Sequence, residues 1–305
     1  MDKTVLIAGG SGLVGRRLQF FLKKKGYEAR VLSRAPRRDG EFGWDTASGT
    51  IDPAALEGGT AVVNLAGAGI ADKRWTPARK REIVDSRVQS ARTLARALSQ
   101  RAGPRPVVYV GASAIGLYGD TGDALLTEDS PAGVGFMPDC CAAWEEAARP
   151  FGEDLGMRSV LLRIGIVLST EGGALPEVLR PARFGLGAYF ADGQAWWSWI
   201  HIDDLCRMIL WAIETPETTG IFNAVAPNPE RNRALIRAVG RALDRSLIPL
   251  PAPAFALRLL LGEMSAVVLN SNRVSAQKVL DAHFTFEHPE LSGALSDLLG
   301  AKRGT

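Results

Sequence analysis

Short apolar runs alternate with amphipathic segments over the first 165 residues of the chain. Strands are predicted at residues 4–8, 28–33, 61–65, 106–112 and 159–165, with a weaker one at 42–44. A helix is predicted at residues 18–25, where Gly26 follows and ends it. Continuous apolar strands separated by helices are typical of a parallel sheet with both faces covered. The pattern therefore predicts an α/β fold with a doubly wound parallel sheet.

The alternation weakens beyond residue 168. Residues 169–200 are rich in glycine and aromatic side chains, and short helices interrupted by prolines follow residue 227. In between, residues 202–213 predict a helix and residues 221–225 predict a strand that could return to the sheet. We therefore predict a first domain of residues 1–168 plus about 201–225, and a smaller, mainly helical lobe of residues 169–200 and 226–305.

The composition is that of an ordinary globular protein, with 46% hydrophobic and 23% charged residues among 305. The net charge of +3 is weak evidence for a nucleic-acid partner, and the basic stretch 73–101 fits a solvated helix face. The most apolar stretch, residues 252–261, is shorter than the roughly 20 residues that span a bilayer. The N-terminus has no signal-peptide pattern, and neither the three cysteines nor the scattered histidines have disulfide or zinc spacing. We expect a cytoplasmic protein that binds no nucleic acid, membrane or metal, and a homodimer remains open.

A glycine-rich segment follows the first predicted strand. Residues 10–15 read GSGLVG and match the pattern GxGxxG, at the point where a strand passes into a helix. Glycines permit the tight turn and let backbone N–H groups approach a pyrophosphate, while the helix N-terminus adds partial positive charge. This context predicts a dinucleotide site of the Rossmann type. A plain strand-to-helix turn is the alternative.

The end of the second predicted strand indicates which dinucleotide is bound. An acidic residue about 20 positions after the loop would accept hydrogen bonds from the ribose 2′-hydroxyl of NAD. This chain has Ser33 and Arg34 there, with Arg37 and Arg38 close behind. An arginine cannot accept a hydrogen bond, but it forms charge-assisted bonds with a 2′-phosphate. We therefore predict NADP(H) as the cofactor, with a solvated surface arginine as the alternative.

Further motifs follow the later predicted strands. They read VVNLAGAGIADKRWT at 62–76, SAIGLYGD at 113–120, CCAAWEEA at 140–147, LRIGIVLS at 162–169 and WSWIHIDDL at 197–205, with LLGEM and GALSDLL near the C-terminus. With the glycine loop, these segments resemble the extended and atypical short-chain dehydrogenase/reductases. The match is closer to one subgroup, the atypical epimerase family with a small C-terminal domain of unknown function. The resemblance covers nearly the whole chain.

The resemblance implies a catalytic site that lacks its usual proton donor. Members of the superfamily usually carry a serine and a Tyr-x-x-x-Lys pair, whose tyrosine is the general acid/base. The resemblance places Ser113 at the serine position, but Met137 and Cys141 at the positions of the tyrosine and the lysine. Tyr118 is the phenol nearest to Ser113 in sequence and could supply the proton. The candidate catalytic residues are therefore Ser113, Cys141 and Tyr118, with a buried, inert thiol as the alternative for Cys141.

The resemblance places Arg87 where the superfamily has an active-site asparagine. Its position on a predicted helix gives a separate reason to expect that it contacts a ligand. It lies one turn from Val84 and Ala91 and two turns from Leu94, so it borders the inward face of a predicted helix. Burying an unpaired guanidinium is expensive, and a bound anion or cofactor would resolve the cost. An arginine whose stem covers apolar surface is the alternative. Glu82 on the same helix either accepts from a ribose hydroxyl or pairs with Arg79.

These arguments predict a set of cofactor contacts and a function. The predicted cofactor-binding residues are Gly9, Gly10, Ser11, Gly12, Leu13, Val14, Gly15, Ser33, Arg34, Asn64, Leu65, Ala66, Gly67, Glu82, Arg87, Ala112, Arg163, Gly165 and Val167. The leading interpretation is an NADP(H)-dependent oxidoreductase of the atypical short-chain type, in which Ser113 holds the carbonyl of a small-molecule substrate. A nucleotide-sugar epimerase is one alternative, and the missing Tyr-Lys pair counts against it. A non-catalytic NADPH-binding sensor or scaffold is the other.

Overall fold

The computed structural model describes residues 3–101 and 103–300. The strands, in chain order, are β1 (Thr4–Ala8), β2 (Glu28–Ser33), β3 (Glu41–Asp45), β4 (Thr50–Ile51), β5 (Ala61–Asn64), β6 (Val108–Ala114), β7 (Leu125–Leu126), β8 (Arg158–Ile164), β9 (Ile166–Leu168), β10 (Leu186–Phe190), β11 (Trp196–Trp197), β12 (Trp199–His201), β13 (Gly220–Ala224), β14 (Glu230–Arg231), β15 (Ile248–Ala252) and β16 (Arg273–Val274). The α-helices are α1 (Leu13–Lys24), α2 (Pro77–Ser99), α3 (Phe136–Glu153), α4 (Ala174–Ala182), α5 (Ile202–Glu214), α6 (Asn232–Ala242), α7 (Ala254–Leu261), α8 (Ala266–Leu269), α9 (Gln277–Asp281) and α10 (Leu291–Gly300).

Eight strands form the central sheet, in the order β13-β8-β6-β5-β1-β2-β3-β4. Strand β1 pairs in parallel with β2 and β5, β5 pairs in parallel with β6, and β2 with β3. Only the β3–β4 pair among the registers described is antiparallel in this sheet. The predicted doubly wound α/β fold is confirmed, because each strand predicted from the apolar runs is present within two residues of its expected ends.

Helix α1 differs from its prediction. It begins at Leu13, directly after the glycine turn, and its inward face carries Gly15, Leu18 and Leu22. The prediction began at Leu18 because the first turn buries a glycine rather than an apolar side chain. A hydrophobic pattern cannot reveal a helix turn that packs through its backbone.

The chain divides into two compact units, each made of several segments. The first contains residues up to Ala114, Asp139–Arg163 and Cys206–Phe222, and the second contains Ile115–Pro138, Ile164–Leu205 and the chain from Asn223 onward. Segment Ile115–Pro138, which the sequence assigns to the first domain, groups with the second unit. The reason is local pairing, since β7 in this segment pairs in parallel with β16.

Each unit has a hydrophobic core of its own. In the first unit, side chains from the sheet such as Leu6 and Val62 pack with Leu94 of α2 and Phe151 of α3. In the second unit, α4, α6 and α10 pack with Trp199 of β12, and four two-stranded sheets (β10–β15, β11–β14, β12–β9 and β16–β7) accompany them. No helix in the described ranges combines the length and the apolar character needed to cross a bilayer.

Candidate functional site

The turn between β1 and α1 brings backbone close to backbone. Gly9 has φ +82°, and a Cβ atom there would lie 2.7 Å from the carbonyl carbon of Leu65. A Cβ atom on Gly15 would collide with the carbonyl oxygen of Gly9. The N–H of Gly12 donates to that same oxygen at 3.0 Å, which closes the turn. The glycines are therefore required by geometry, and the predicted role of this segment as a tight turn fits the structure.

The start of α1 is available to an anion. Its N-cap is Gly12, and within the described chain no side chain caps it. The amide of Gln19 donates instead to the carbonyl oxygens of Gly10 and Gly15, at 2.8 and 3.1 Å, and so braces the turn from inside the helix. Uncapped N–H groups at a helix N-terminus favour a phosphate, since they add to the positive end of the helix dipole.

A cleft of about 1130 Å³ opens from this turn, at the carboxyl ends of β1, β2 and β5. Its volume slightly exceeds the roughly 300–1,000 Å³ of ordinary small-molecule pockets, which leaves room for an extended cofactor. Nine of the predicted cofactor residues line it, namely Gly9, Ser11, Gly12, Ser33, Arg34, Leu65, Ala66, Gly67 and Glu82. The lining also contains residues that the sequence did not single out, among them Trp44, Asp72, Arg79 and Gln89. All of these belong to the first unit.

The far rim of the cleft carries an ionic cluster. The exposed side chain of Arg34 lines it, and Arg79 pairs with Glu82 at 2.7 Å and with Asp72 at 3.4 Å. The hydrogen bond from Arg79, together with the positive charges of Lys73 and Arg34, lowers the pKa of Glu82. Glu82 therefore takes the second of its two predicted roles, the ion pair with Arg79. Arg79 itself is buried, so the basic stretch that begins at Lys73 is more than a solvated helix face.

Several predicted cofactor residues shape the loops without lining the cleft. Asn64 is buried and donates to Ser90 Oγ and to the Tyr109 hydroxyl, while its Oδ1 accepts the N–H of Ala66. Gly10 packs against Val31, where a Cβ atom would lie 2.7 Å from its methyl carbon. Leu13 and Val14 form the first turn of α1, and Ala112 is buried in β6.

Gly165 and Val167 belong to the second unit. The N–H of Gly165 donates to the carbonyl oxygen of Ala224 at 3.1 Å. Val167 lies in β9 and pairs with Ile200 of β12. Both residues thus have backbone roles in short paired strands, and their contact with a cofactor stays a prediction.

Arg87 is held by protein groups. Its Nη1 donates to the carbonyl oxygens of Ala68 and Ile83, at 3.0 and 2.9 Å, and its guanidinium lies 4.9 Å from the centre of the Trp144 ring. Burial lowers the pKa of Arg87. A Cβ atom on Gly67 would lie 3.0 Å from its Cζ, so a glycine there makes room for the arginine. Carbonyl dipoles and an aromatic face therefore offset much of the burial cost that the sequence assigned to a bound anion.

Ser113 and Arg163 meet on a carboxylate that the sequence analysis did not name as functional. Ser113 Oγ donates to Glu145 Oε1 at 2.6 Å. Arg163 donates from Nε to Oε1 and from Nη2 to Oε2, both at 2.9 Å. Arg163 was predicted beside the cofactor, but its guanidinium is directed to Glu145. Glu145 is 32 positions from Ser113 and 18 from Arg163 along the chain, so no local pattern could reveal the cluster.

Cys141 is a buried, neutral thiol. Burial, followed by the neighbouring Cys140 and Glu145, raises its pKa to about 12, although Arg87 acts in the opposite direction. Burial also raises the pKa of Cys140. A thiol with this pKa is neither a nucleophile nor a base near neutral pH. The structure therefore supports the inert alternative for Cys141.

Tyr118 lies in the second unit and is also buried. Its hydroxyl donates to Asn223 Oδ1 at 2.7 Å, and the N–H of Asn223 donates in turn to Glu128 Oε1. The hydroxyl proton expected to serve in catalysis is thus engaged in a hydrogen bond. That bond links Tyr118, shortly after β6, to Asn223 of β13. Its role as an acid stays a prediction, and the observed contact is a structural one.

His201, His288 and Asp297 form a cluster in the second unit that has the composition of a metal site. His201 Nδ1 accepts the backbone N–H of Asp203 at 3.1 Å. Its Nε2, 3.3 Å from Asp297 Oδ2, therefore carries the proton in the neutral ring and has no lone pair for a metal ion. The proton on Nε2 thus favours a structural cluster in which His201 of β12 lies against Asp297 of α10.

Known proteins resemble this chain over nearly its full length. The family model for the NAD-dependent epimerase/dehydratase family matches residues 5–225, and that of a domain of unknown function, DUF1731, matches residues 252–298. An epimerase family protein of Mycobacterium bovis is 38% identical over 296 residues, which are 96% of this chain and 97% of that protein.

Two solved structures extend the comparison. Human epimerase family protein SDR39U1, crystallised with NADPH, is 32% identical, has a TM-score of 0.88 and aligns over 97% of this chain and 99% of that one. A nucleoside-diphosphate sugar epimerase from Corynebacterium glutamicum is also 32% identical, with a TM-score of 0.79 over 99% of this chain and 59% of that one. The family expected from the motifs is confirmed. The chain belongs to the NAD-dependent epimerase/dehydratase family, in the branch of epimerase family proteins that carry a C-terminal DUF1731 domain.

Proposed function

We propose that this protein binds NADP(H) in the cleft of its first unit and acts as an oxidoreductase on a small molecule. The observation that carries the proposal is the uncapped glycine turn opening into a cleft whose lining includes Arg34. The human relative crystallised with NADPH, similar over 99% of its length, supports the same cofactor.

The residues of the cleft fit a phosphorylated dinucleotide. The N–H groups after Gly12 would hold the pyrophosphate, because no described side chain caps this end of α1. Arg34 would form charge-assisted hydrogen bonds with a 2′-phosphate. Glu82 would not repel that phosphate strongly, because its charge is paired with Arg79 at 2.7 Å. When bound, NADP(H) supplies or accepts a hydride.

The protein must then hold the reacting group of the substrate and exchange a proton with it. Ser113 stands at the carboxyl end of β6, the edge where open α/β sheets bind ligands. Its hydroxyl is fixed in orientation by Glu145. Cys141 cannot exchange a proton near neutral pH, because its pKa is raised to about 12.

A second function is favoured by the way the candidate catalytic groups are engaged. The thiol of Cys141 stays protonated near neutral pH, and the proton of the Tyr118 hydroxyl is hydrogen-bonded to Asn223 in the folded protein. A sensor that binds NADP(H) and performs no chemistry needs neither group. Sugar epimerisation, the activity named for the Corynebacterium glutamicum relative, requires a competent base, and the same two observations count against it.

Thermal unfolding with NADPH, NADP⁺, NADH and NAD⁺, followed by a panel of carbonyl compounds and alcohols, separates these functions. We expect NADPH and NADP⁺ to raise the unfolding temperature more than their unphosphorylated counterparts, since ligand binding to the native state stabilises it. Turnover on the panel, followed by nicotinamide absorbance, supports the oxidoreductase. Selective stabilisation without turnover supports the sensor, and stabilisation by none of the four dinucleotides overturns both.

A further inference from the structure

Ser113, Glu145 and Arg163 form a buried hydrogen-bonded network inside the first unit. Ser113 and Arg163 are 2% and 6% exposed, and the side chain of Glu145 is 13% exposed. Glu145 accepts three hydrogen bonds with its two oxygens, one from Ser113 at 2.6 Å and two from Arg163 at 2.9 Å. The pairing with Arg163 is bidentate, which fixes the carboxylate in direction as well as in place.

The network rests on three regular elements. Ser113 and Arg163 are the penultimate residues of β6 and β8, which are neighbours in the central sheet. Glu145 comes from α3, one turn after Cys141. Groups held by strands and helices keep their geometry better than groups held by loops. The orientation of the Ser113 hydroxyl is therefore set by the fold.

This orientation decides what Ser113 can offer to a bound molecule. A hydroxyl has one proton and two lone pairs. The proton of Ser113 is directed to Glu145, so its remaining capacity is that of an acceptor. A carbonyl oxygen has no proton to give to such a group, whereas an alcohol has one. Ser113 was expected from the sequence to donate to a substrate carbonyl, but its proton is already hydrogen-bonded to Glu145.

We propose that Glu145, fixed by Arg163, positions Ser113 as a hydrogen-bond acceptor for a hydroxyl group, so that the small molecule recognised at this site is an alcohol. Glu145 is a positioning residue in this arrangement, because it acts on the ligand only through Ser113. The inference rests on the proposed function, in which an alcohol is the reduced partner of an NADP(H)-dependent reaction.

The first test needs no cofactor and no substrate. A hydroxyl proton held between Ser113 and a carboxylate should give a slowly exchanging, downfield proton resonance in the nuclear magnetic resonance spectrum. We expect it in the wild-type protein and in Glu146→Gln, whose exposed carboxylate pairs with Arg149 on the same helix. It should vanish in Ser113→Ala and in the double variant Glu145→Met with Arg163→Leu, which has no oxygen at position 145 to accept the Ser113 proton. A wild-type spectrum without it, or a double-variant spectrum that keeps it, overturns the proposal.

The second test concerns the ligand class, with cyclohexanol and cyclohexanone as one pair in a panel of matched secondary alcohols and ketones. NADPH binding by the wild-type protein is measured first, and its absence refutes the proposed function while the resonance result stands. With NADP⁺ or NADPH bound, the alcohols should bind about tenfold more tightly than the ketones by thermal unfolding, the value of one hydrogen bond.

The variants decide whether that preference comes from the network. Ser113→Ala and the double variant Glu145→Met with Arg163→Leu should bring alcohols and ketones to about equal affinity, and Glu146→Gln should keep the tenfold difference. The double variant is used because replacing Glu145 alone would leave Arg163 buried and unpaired. A wild-type preference for ketones, or an alcohol preference that survives in Ser113→Ala, contradicts the inference.

Discussion

Arg34 shows how one side chain decides between two cofactors. It is exposed on the rim of the cleft, beside a carboxylate that Arg79 already neutralises. We expect Arg34→Ala to weaken NADPH binding about 10- to 100-fold, the value of charge-assisted hydrogen bonds to one phosphate group, and to leave NADH binding nearly unchanged. Titration followed by nicotinamide fluorescence measures both affinities.

The matched control for this prediction is Arg37→Ala. Arg37 is exposed and close in sequence, but it does not belong to the cleft lining among the described residues. Its replacement should change neither affinity by more than about twofold, because an arginine outside hydrogen-bonding reach acts on the phosphate only through screened charge. Equal losses of NADPH and NADH affinity in Arg34→Ala would show that Arg34 does not recognise the 2′-phosphate.

Cys141 gives a prediction about pH. Its pKa is raised to about 12 by burial, so at pH ~8 a fraction on the order of 10⁻⁴ is thiolate. Because the thiolate is the reactive form, alkylation by iodoacetamide should be very slow at that pH and rise about tenfold per pH unit while the protein stays folded. Mass spectrometry of the peptide from Cys141 measures the rate.

Denaturant provides the control for Cys141, because unfolding returns the thiol to water and to its ordinary pKa. Labelling should then become fast at pH ~8. Fast labelling of the native protein at neutral pH, with protection by NADPH, would contradict the buried-thiol assignment and return Cys141 to the list of catalytic residues.

The residues that sequence alone could identify share one property, which is that their signal is local. Arg34 is found by its distance from the glycine loop, and Ser113 by the resemblance of the motif that it begins, at the end of a predicted strand. Glu145 was missed because its role depends on Ser113 and Arg163, which two other strands bring to it. Arg79 was named as a possible partner of Glu82, but its burial was missed because it lies in a stretch of basic residues that resembles a solvated face.

At the scale of elements, the glycine turn and α1 act as one unit. Gly15 faces the backbone of Gly9 and Gly10, where a Cβ atom would lie 2.6 Å from the Cα of Gly10. Backbone cannot move away as a flexible side chain would. We therefore expect Gly15→Ala to cost about 1–3 kcal/mol in the free energy of unfolding and to weaken NADPH binding, measured by thermal unfolding without and with the cofactor.

Gly293 in α10 is the matched control, since a Cβ atom there meets nothing within 4 Å. Gly293→Ala should leave NADPH binding unchanged and stabilise the protein by about 0.5–1 kcal/mol, because alanine suits a helix better than glycine. If Gly15→Ala were as stable as the wild type and bound NADPH equally well, the close packing between the turn and α1 would be wrong.

The contrast between long, buried strands and two-residue strands explains which strands could be predicted from the sequence. Strands β1, β5 and β6 are covered on both faces, so their apolar runs are continuous and visible in the sequence. Strands such as β7, β11 and β16 are two residues long, and no period can be read from two residues. They exist because distant segments pair with them, which local pattern cannot foresee.

At the scale of the whole molecule, the chain leaves the first unit and returns to it. Strand β13 completes the central sheet beside β8, and the part of α5 from Cys206 onward, with buried side chains such as Ile209, belongs to the first unit. The guanidinium of Arg158 donates to the carbonyl oxygens of Ala212, Ile213 and Thr218, at 2.5 to 2.9 Å. The returning strand was predicted from its apolar pattern, but its position at the edge beside β8 was not.

This arrangement predicts how a fragment of residues 1–168 behaves. The fragment keeps every residue that lines the cofactor cleft, since these lie between Gly9 and Gln89. It loses α5 and β13, so the edge of β8 becomes unpaired and Arg158 loses its three carbonyl acceptors. Unpaired edges and unsatisfied buried groups destabilise a sheet. We expect the fragment to show no cooperative thermal transition and to bind NADPH at least tenfold more weakly than the full chain.

Complementation distinguishes this explanation from the loss of a binding residue. Co-expression of residues 1–168 with residues 169–305 restores α5 and β13 without adding any residue to the cleft lining, so both the cooperative transition and NADPH binding should return. Calorimetry and nicotinamide fluorescence measure the two. If the fragment alone unfolds cooperatively and binds NADPH as the full chain does, then the returning segment contributes nothing essential, and the first unit is defined by its first half alone.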